Sequence, residues 1–269
     1  MSDLLPADFA QALTATADAR GVFGARLHYF AETGSTNDLA LAAAERGAEE
    51  GTTFVAGAQT SGRGRRGREW FSPPGAGLYF STIVRRVSIA PWLTLAGGVA
   101  VADGIRIATG LPTQIKWPND IVSVGGAGFK ARRKLAGILA EASSGPAGVQ
   151  YVVLGIGINV GAASFPPELS DRAGSIETEL GRAVDAGPVL AHVLAALNRV
   201  VAEVEHAGPP NLFTRWLERA PSANGERIEW DGAHGVETGI SAGLAEDGAL
   251  LARTAEGLTR IVAGEVRWV

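Results

Sequence analysis

Two short segments carry residue types whose spacing could do chemistry. Gly62-Arg63-Gly64-Arg65-Arg66-Gly67-Arg68 sets four arginines in six residues, interleaved with glycine. Glycines let a backbone approach a ligand and present its N–H groups, and guanidinium forks match carboxylate and phosphate oxygens. Without an anion these charges repel one another, so the segment reads either as an anion site or as a solvated arginine run on a surface loop. The β-type flanks and Trp70-Phe71 directly after it favour a loop lying over a pocket. In letters the segment also fits G-x-G-x-x-G. A dinucleotide-binding turn needs a helix to begin inside that motif, and Pro73-Pro74 forbids one.

The second segment holds the lysines. Of 24 basic residues only Lys116, Lys130 and Lys134 are lysine, and they fall within 19 residues. A GC-rich coding bias explains the scarcity of lysine but not its clustering. An ammonium is a compact point charge that arginine does not imitate. Lys116-Trp117-Pro118-Asn119-Asp120 places an amide and a carboxylate at a strand-to-strand turn, which is either ordinary turn chemistry or a pair of oxygen ligands for Mg²⁺ beside a substrate phosphate. Arg133-Lys134-Leu135-Ala136-Gly137-Ile138-Leu139 begins a β run with a lysine, readable as a charge at a strand mouth or as an ammonium over a reacting carboxylate and phosphate. In Gly155-Ile156-Gly157-Ile158-Asn159 the two glycines alternate, so they share one sheet face and clear it of side chains.

The elements that must position these groups are legible in outline. The chain has 269 residues, 46% hydrophobic and 19% charged, enough for a sizeable core. Its net charge of -4 argues against broad electrostatic binding to DNA or anionic membrane. The absence of cysteine excludes disulfides, thiolate metal sites and Cys nucleophiles. The N-terminal residues lack the pattern of a signal peptide, no stretch reads as long and apolar enough to span a bilayer, and the expected compartment is the cytoplasm. Residues 1–25 read as a short helix or extension. Strands are expected at 27–30, 52–58, 78–84, 114–117, 121–124, 135–141 and 150–158, the last two nearly continuous in apolar character as central strands are. Helices are expected after Ser35-Thr36, over 92–109, over 188–206 and over 211–219. Near Pro221 the pattern turns to short strands with a hairpin signal at Asp247-Gly248, so the boundary of a small, partly open β-barrel is placed there.

Taken in order, Gly34-Ser35-Thr36-Asn37, Gln59 with Gly62–Arg68, Leu78-Tyr79-Phe80-Ser81, Lys116–Asp120, Arg133–Leu139 and Gly155–Asn159 resemble the biotin protein ligase family. The resemblance covers roughly residues 30–160, with a weaker likeness beyond 221. It implies an α+β fold with a mixed, largely antiparallel sheet backed by helices, related to class II aminoacyl-tRNA synthetases, over 1–220. An SH3-like β-barrel over 221–269 completes it. It implies ATP with Mg²⁺, biotin as substrate, biotinyl-5'-AMP as intermediate, and a biotin carboxyl carrier domain as the protein partner.

By the same resemblance Ser35, Thr36, Asn37 and Gln59 address the biotin ureido head. Arg63, Gly64 and Arg65 line its tail and carboxylate, and Tyr79, Ser81, Leu135, Gly137, Gly155 and Gly157 wall the ring pocket. Arg65, Arg68 and Trp70 meet the adenylate, Asn119 and Asp120 serve ATP, with Asp120 as the Mg²⁺ ligand, and Asn159 serves the nucleotide. Lys134 matches the active-site lysine and acts with Arg65 in catalysis. The long stretch between Asp120 and Lys134 leaves Lys130 as the other candidate; the Leu-Ala-Gly-Ile-Leu frame favours Lys134. With the first motif at residue 34, no winged-helix domain is expected before it, and DNA and membrane are not expected partners; the family occurs as monomers and homodimers. The competing readings are a lipoate–protein ligase of the same architecture and a nucleic-acid-binding module using the arginine loop.

Overall fold

Seven apolar or β-branched stretches pair into one sheet in the computed structural model, which describes residues 2–124, 132–146, 148–163, 165–232 and 235–269. Lys130 lies outside the described residues. The strands are β1 (Leu27–Phe30), β2 (Thr53–Ala56), β3 (Gly77–Val84), β4 (Thr113–Lys116), β5 (Asp120–Ser123), β6 (Lys134–Gly145) and β7 (Gly148–Asn159), in the order β1-β2-β3-β7-β6-β5-β4. Only β1 and β2 run parallel; every other neighbouring pair is antiparallel. The two nearly continuous apolar runs become the long β6–β7 hairpin near the centre of the sheet, with Gly137 opposite Gly157 and Leu139 opposite Gly155.

The helices are α1 (Ala7–Ala15), α2 (Ala17–Arg20), α3 (Thr36–Glu45), α4 (Leu93–Thr109), α5 (Pro167–Ser170), α6 (Ile176–Leu180), α7 (Ala186–Ala207) and α8 (Pro210–Arg219). One sheet face packs against α4 and α7, where Val99, Ile105, Val193, Leu197 and Val201 join Phe80, Ile138 and Leu154 in the main core. The opposite face carries α3, whose Ala40, Ala43 and Ala44 meet Phe54, Ile83 and Val153. Helix α4 stops at Gly110, in the left-handed region at φ 79, with its N–H bonded to the Arg106 carbonyl. Asp103 on α4 is buried, yet both its oxygens are used: Arg199 and Arg215 donate to Oδ2 and Arg219 to Oδ1, tying α4 to α7 and α8.

One expectation needs correction. Val87–Thr109 and Ala186–Ala207 are long and apolar enough to cross a bilayer. Both lie in the core, where a helix apolar over most of its circumference belongs. Their polarity pattern reflects burial in protein, with α4 wedged between the sheet and α7.

Beyond α8 the chain forms β8 (Asn224–Gly232), β9 (Gly235–Leu244), β10 (Leu250–Thr254), β11 (Gly257–Ile261) and β12 (Val266–Trp268), an antiparallel sheet in the order β11-β10-β9-β8-β12. Among the described residues its edge strands β11 and β12 do not pair, so the sheet is not closed, and of the expected partly open barrel only the five-stranded antiparallel sheet is seen. Its inner residues Ile228, Trp230, Leu250, Ile261 and Val266 are continuous with the main core. Polar contacts tie it to the larger unit: Trp117 Nε1 donates to the Gly248 carbonyl at 3.0 Å, Arg68 Nη2 donates to Glu265 Oε2 at 2.7 Å, and Arg132 lies 3.8 Å from Glu226 Oε2.

Two outcomes follow from this packing. A Cβ at Gly104 would stand 2.5–2.7 Å from Val193 Cγ2, Cα and N, where α4 and α7 touch backbone to backbone. Gly104→Ala is therefore expected to destabilise by about 2–3 kcal/mol, read as a lowered thermal midpoint. The hydrogen bond from Arg68, with its charge, holds the Glu265 carboxyl below the ordinary glutamate range. Because the folded value is depressed, this contact contributes fully above the unfolded pKa and is lost as pH falls through the lowered one. An NMR titration of the Glu265 carboxyl should show a depressed midpoint that moves back up in Arg68→Gln.

Candidate functional site

The glycines of the central hairpin create the site. On the α3 face, Tyr79, Gly157 and Gly137 line up across β3, β7 and β6, as do Ser81, Gly155 and Leu139. Two loops cross this face, one from β1 into α3 and one from β2 to β3. They are stitched by a parallel bridge between Thr33 and Gln59. The arginine segment folds back on itself: Gly64 N–H donates to the Arg68 carbonyl, Trp70 N–H to the Gly62 carbonyl, and Arg63 bridges Glu69. Its tip is a single turn in which Arg66, at φ 60, takes the left-handed conformation that side chains rarely adopt.

The cleft so formed, about 450 Å³ of empty space counted out into open solvent, is lined by Ser35, Thr36, Asn37, Gln59, Arg63, Gly64, Arg65, Trp70, Asn119, Lys134, Gly137, Gly155 and Gly157. All of these are residues singled out in the sequence, drawn from segments up to 122 positions apart. Ile138, Leu139 and Ile156 complete the wall; they stand inside the matched motifs but were given no role of their own, since an apolar residue in an apolar strand carries no further signal.

Hydroxyl and amide groups on one wall form a connected chain. Thr36 N–H donates to Gln59 Oε1 at 2.8 Å, the Thr36 and Ser81 hydroxyls meet at 2.8 Å, and Ser81 donates to Asn37 Oδ1 at 2.5 Å. Gln59 Nε2 in turn donates to Ser72 Oγ at 3.0 Å. Ser35 Oγ is buried without a partner, an unusual state for a hydroxyl that lines a cavity. A Cβ at Gly155 would stand 2.0 Å from Asn37 Oδ1, so this amide needs the glycine.

The cationic wall is built around Lys134. Its Nζ lies 2.7 Å from Asp120 Oδ1 and 5.0 Å from the centre of the Trp70 ring. Arg65 Nη1 donates to Asn119 Oδ1 at 3.1 Å, and Asn119 Nδ2 donates to the Ile138 carbonyl at 2.9 Å. The Trp70 indole rests on the glycine floor: a Cβ at Gly157 would meet it at 2.5 Å and one at Gly137 at 2.8 Å. Its Nε1 is buried without a partner. Lys116 stands behind, 4.9 Å from the Trp268 ring, and burial lowers its pKa against the opposing pull of Asp120 and Glu265.

Six singled-out residues lie off the cavity wall. Tyr79 is buried, with its hydroxyl toward the Pro73 carbonyl and its pKa raised by burial. Ser81 sits behind the wall in the hydrogen-bonded chain, and Leu135 is fully buried in the main core. Arg68 is turned toward Glu265, and Asp120 joins the site through Lys134. The Asn159 amide donates to the Gly174 carbonyl at 2.9 Å and to the Lys134 carbonyl at 3.3 Å, bracing the strand start that carries the lysine. Among the described residues no three His, Cys, Asp or Glu side chains gather as a metal cluster. A single carboxylate, Asp120, still suits Mg²⁺, which keeps its waters and is held largely by substrate phosphates.

Comparison with known proteins agrees with this geometry. Residues 29–159 match the family model described as the Biotin/lipoate A/B protein ligase family, and residues 225–267 match the Biotin protein ligase C terminal domain. The chain is 35% identical over 250 residues to the "Bifunctional ligase/repressor BirA" of Bacillus spizizenii, covering 91% of this chain and 74% of that relative. It is 36% identical over 245 residues to the "Biotin--[acetyl-CoA-carboxylase] ligase" of Paracoccus denitrificans, covering 88% of this chain and 98% of the relative. The solved structure of the biotin protein ligase from Aquifex aeolicus in complex with biotin and ATP superposes with a TM-score of 0.77 at 30% identity, covering 91% of this chain and all of that one. With a cavity assembled from the family's motifs and relatives matched along most of their length, the chain belongs to the biotin protein ligase family.

Proposed function

We propose that this chain activates biotin with ATP and transfers it to the lysine amine of a biotin carboxyl carrier domain. In the first step a biotin carboxylate oxygen attacks the α-phosphorus of ATP and the P–O bond to pyrophosphate breaks, giving biotinyl-5'-AMP. In the second, the neutral lysine amine attacks the acyl carbon, the bond to the AMP oxygen breaks, and the amine sheds a proton as the amide forms.

The observation that carries this reading is the pairing, around one cavity, of a cationic group (Arg63, Arg65, Lys134) with an uncharged polar group (Ser35, Thr36, Asn37, Gln59) over a glycine floor. A carboxylate and a triphosphate repel, so their approach needs positive charge already in place where charge builds on the α-phosphate. Lys134 and Arg65 supply it, each held from behind by Asp120 or Asn119. Asp120 is the residue to hold Mg²⁺, which, when bound, neutralises phosphate charge. Trp70 and the arginine loop cover the floor and keep water from the mixed anhydride.

The uncharged wall favours biotin over lipoate. A ureido ring offers both N–H donors and a carbonyl acceptor to Ser35 and its neighbours, whereas a dithiolane would leave Ser35 Oγ without a partner. We further infer a boundary near residue 221 between a catalytic unit, 1–220, and an SH3-like unit, 221–269. The change from helix to short antiparallel strands and the size of the second unit support it. Use of ATP and of a carboxylase carrier suits action in the cytoplasm.

Incubation of the chain with biotin, MgATP and labelled pyrophosphate should give exchange into ATP, and a carrier domain should then gain one biotin by mass. Exchange with lipoate in place of biotin would overturn the substrate. Lys134→Ala should cut exchange by about 100-fold or more with little change in thermal midpoint, since a half-exposed ion pair adds little stability. Lys130→Ala should retain exchange; the reverse pattern would show the wrong lysine has been assigned.

A further inference from the structure

Glu141 was not among the residues singled out in the sequence, and it does not line the cavity. It lies seven residues beyond Lys134 on β6, and its carboxylate joins the Asn37 amide to the arginine loop. One oxygen, Oε2, accepts from Asn37 Nδ2 at 2.6 Å. The other, Oε1, accepts from Arg63 Nη2 at 2.6 Å. Arg63 Nη1 donates to Asp38 Oδ1, also at 2.6 Å.

We propose that Glu141 is a positioning residue that sets the polarity of the uncharged wall and ties that wall to the arginine loop. The proposal rests on the functional reading above.

The argument is one of donors and acceptors. A carboxylate only accepts, so it draws the NH₂ end of the Asn37 amide toward itself. Asn37 Oδ1 then faces Ser81, and Ser81 must give it a proton. Having given its proton, Ser81 accepts from Thr36 Oγ1. The Gln59 amide is set by its own partners, accepting from the Thr36 backbone N–H and donating to Ser72. What the chain decides is that the Thr36 hydroxyl gives its proton to Ser81 and not to Gln59 Oε1, 3.2 Å away. Every hydroxyl proton from Thr36 to Asn37 therefore points toward Glu141. The cavity meets a ligand with an invariant pattern of donors and acceptors, although three of the four side chains concerned could present either.

The same carboxylate offsets the guanidinium that begins the loop. An isosteric amide cannot serve both partners. If Gln at 141 offers its oxygen to Asn37, its NH₂ faces Arg63, donor against donor. If it offers its oxygen to Arg63, its NH₂ faces Asn37, and the chain through Ser81 loses its direction. Loss of Glu141 should thus act on head-group recognition and loop closure together.

A double-mutant cycle tests this, using the full chain, wild type, Glu141→Gln, Arg63→Gln and both together. The biotin KM and kcat of pyrophosphate exchange and the rate of biotinyl-5'-AMP release are measured for each. Glu141→Gln is expected to raise the biotin KM roughly tenfold and to speed adenylate release by a similar factor, with kcat at saturation within about twofold. The double variant should fall well short of the product of the two single effects, because both break one tie. Asp38→Asn, which frees only the far side of Arg63, should speed adenylate release and leave the biotin KM within about twofold. A thermal midpoint for each variant separates these effects from misfolding. Multiplicative single effects, or a lowered midpoint with an unchanged KM, would overturn the proposal. A wild-type chain showing no biotin-dependent exchange would instead overturn the functional reading.

Discussion

Like-charge repulsion within the arginine loop is the constraint around which the site is arranged. Four guanidinium groups in six residues repel one another, and three of them are held by partners outside the loop. Asp38 and Glu141 take Arg63, Asn119 takes Arg65 and Glu265 takes Arg68. These partners come from α3, from β6, from the turn before β5 and from the far end of the second sheet. A loop placed by its own backbone alone would not need such scattered support. Most of the pairs are partly exposed and individually weak, on the order of 0–1 kcal/mol. They fix where the guanidinium groups stand more than they stabilise the fold.

The second constraint is space on the sheet. Gly137, Gly155 and Gly157 remove three side chains from one face at the centre, and two neighbours move into the room so made. Asn37 takes the place above Gly155, and the Trp70 indole covers Gly137 and Gly157. The opposite face shows no such gap: Ile138, Leu154 and Phe80 pack without interruption against α4 and its neighbours. The β6–β7 hairpin is thus a rigid partition, dense on the side that gives stability and thinned on the side that gives chemistry. The brace from Asn159 to the Lys134 carbonyl belongs to the same logic, since it fixes the start of the strand from which the Lys134 ammonium projects.

Much of this was legible in the amino-acid order. The strand and helix positions follow from apolar periodicity, and alternate glycines announced a cleared face before any strand pairing was known. Tyr79, Leu135 and Asn159 sit in recognisable motifs, and the fold places them behind the wall, in the core and under the start of β6; a motif records which residues keep company, not which of them line the cavity. Glu141 escaped notice because a lone carboxylate in an apolar strand carries no signal until its partners, 104 and 78 residues away, fold against it. The buried character of Val87–Thr109 and Ala186–Ala207 was equally hidden, because a core helix and a membrane helix share a composition. Closure of the small sheet depends on edge pairing, which short strands do not encode.

The ties on Arg63 and Arg68 lie at the solvent boundary, whereas the Ser81–Asn37 linkage and the Asp103 cluster are sheltered. Mobile counterions shield the first kind within about 8 Å at physiological ionic strength and scarcely touch the second. Added salt therefore loosens the cover before it disturbs the floor, and the cleft can lose its grip on an anionic guest while the scaffold stays whole.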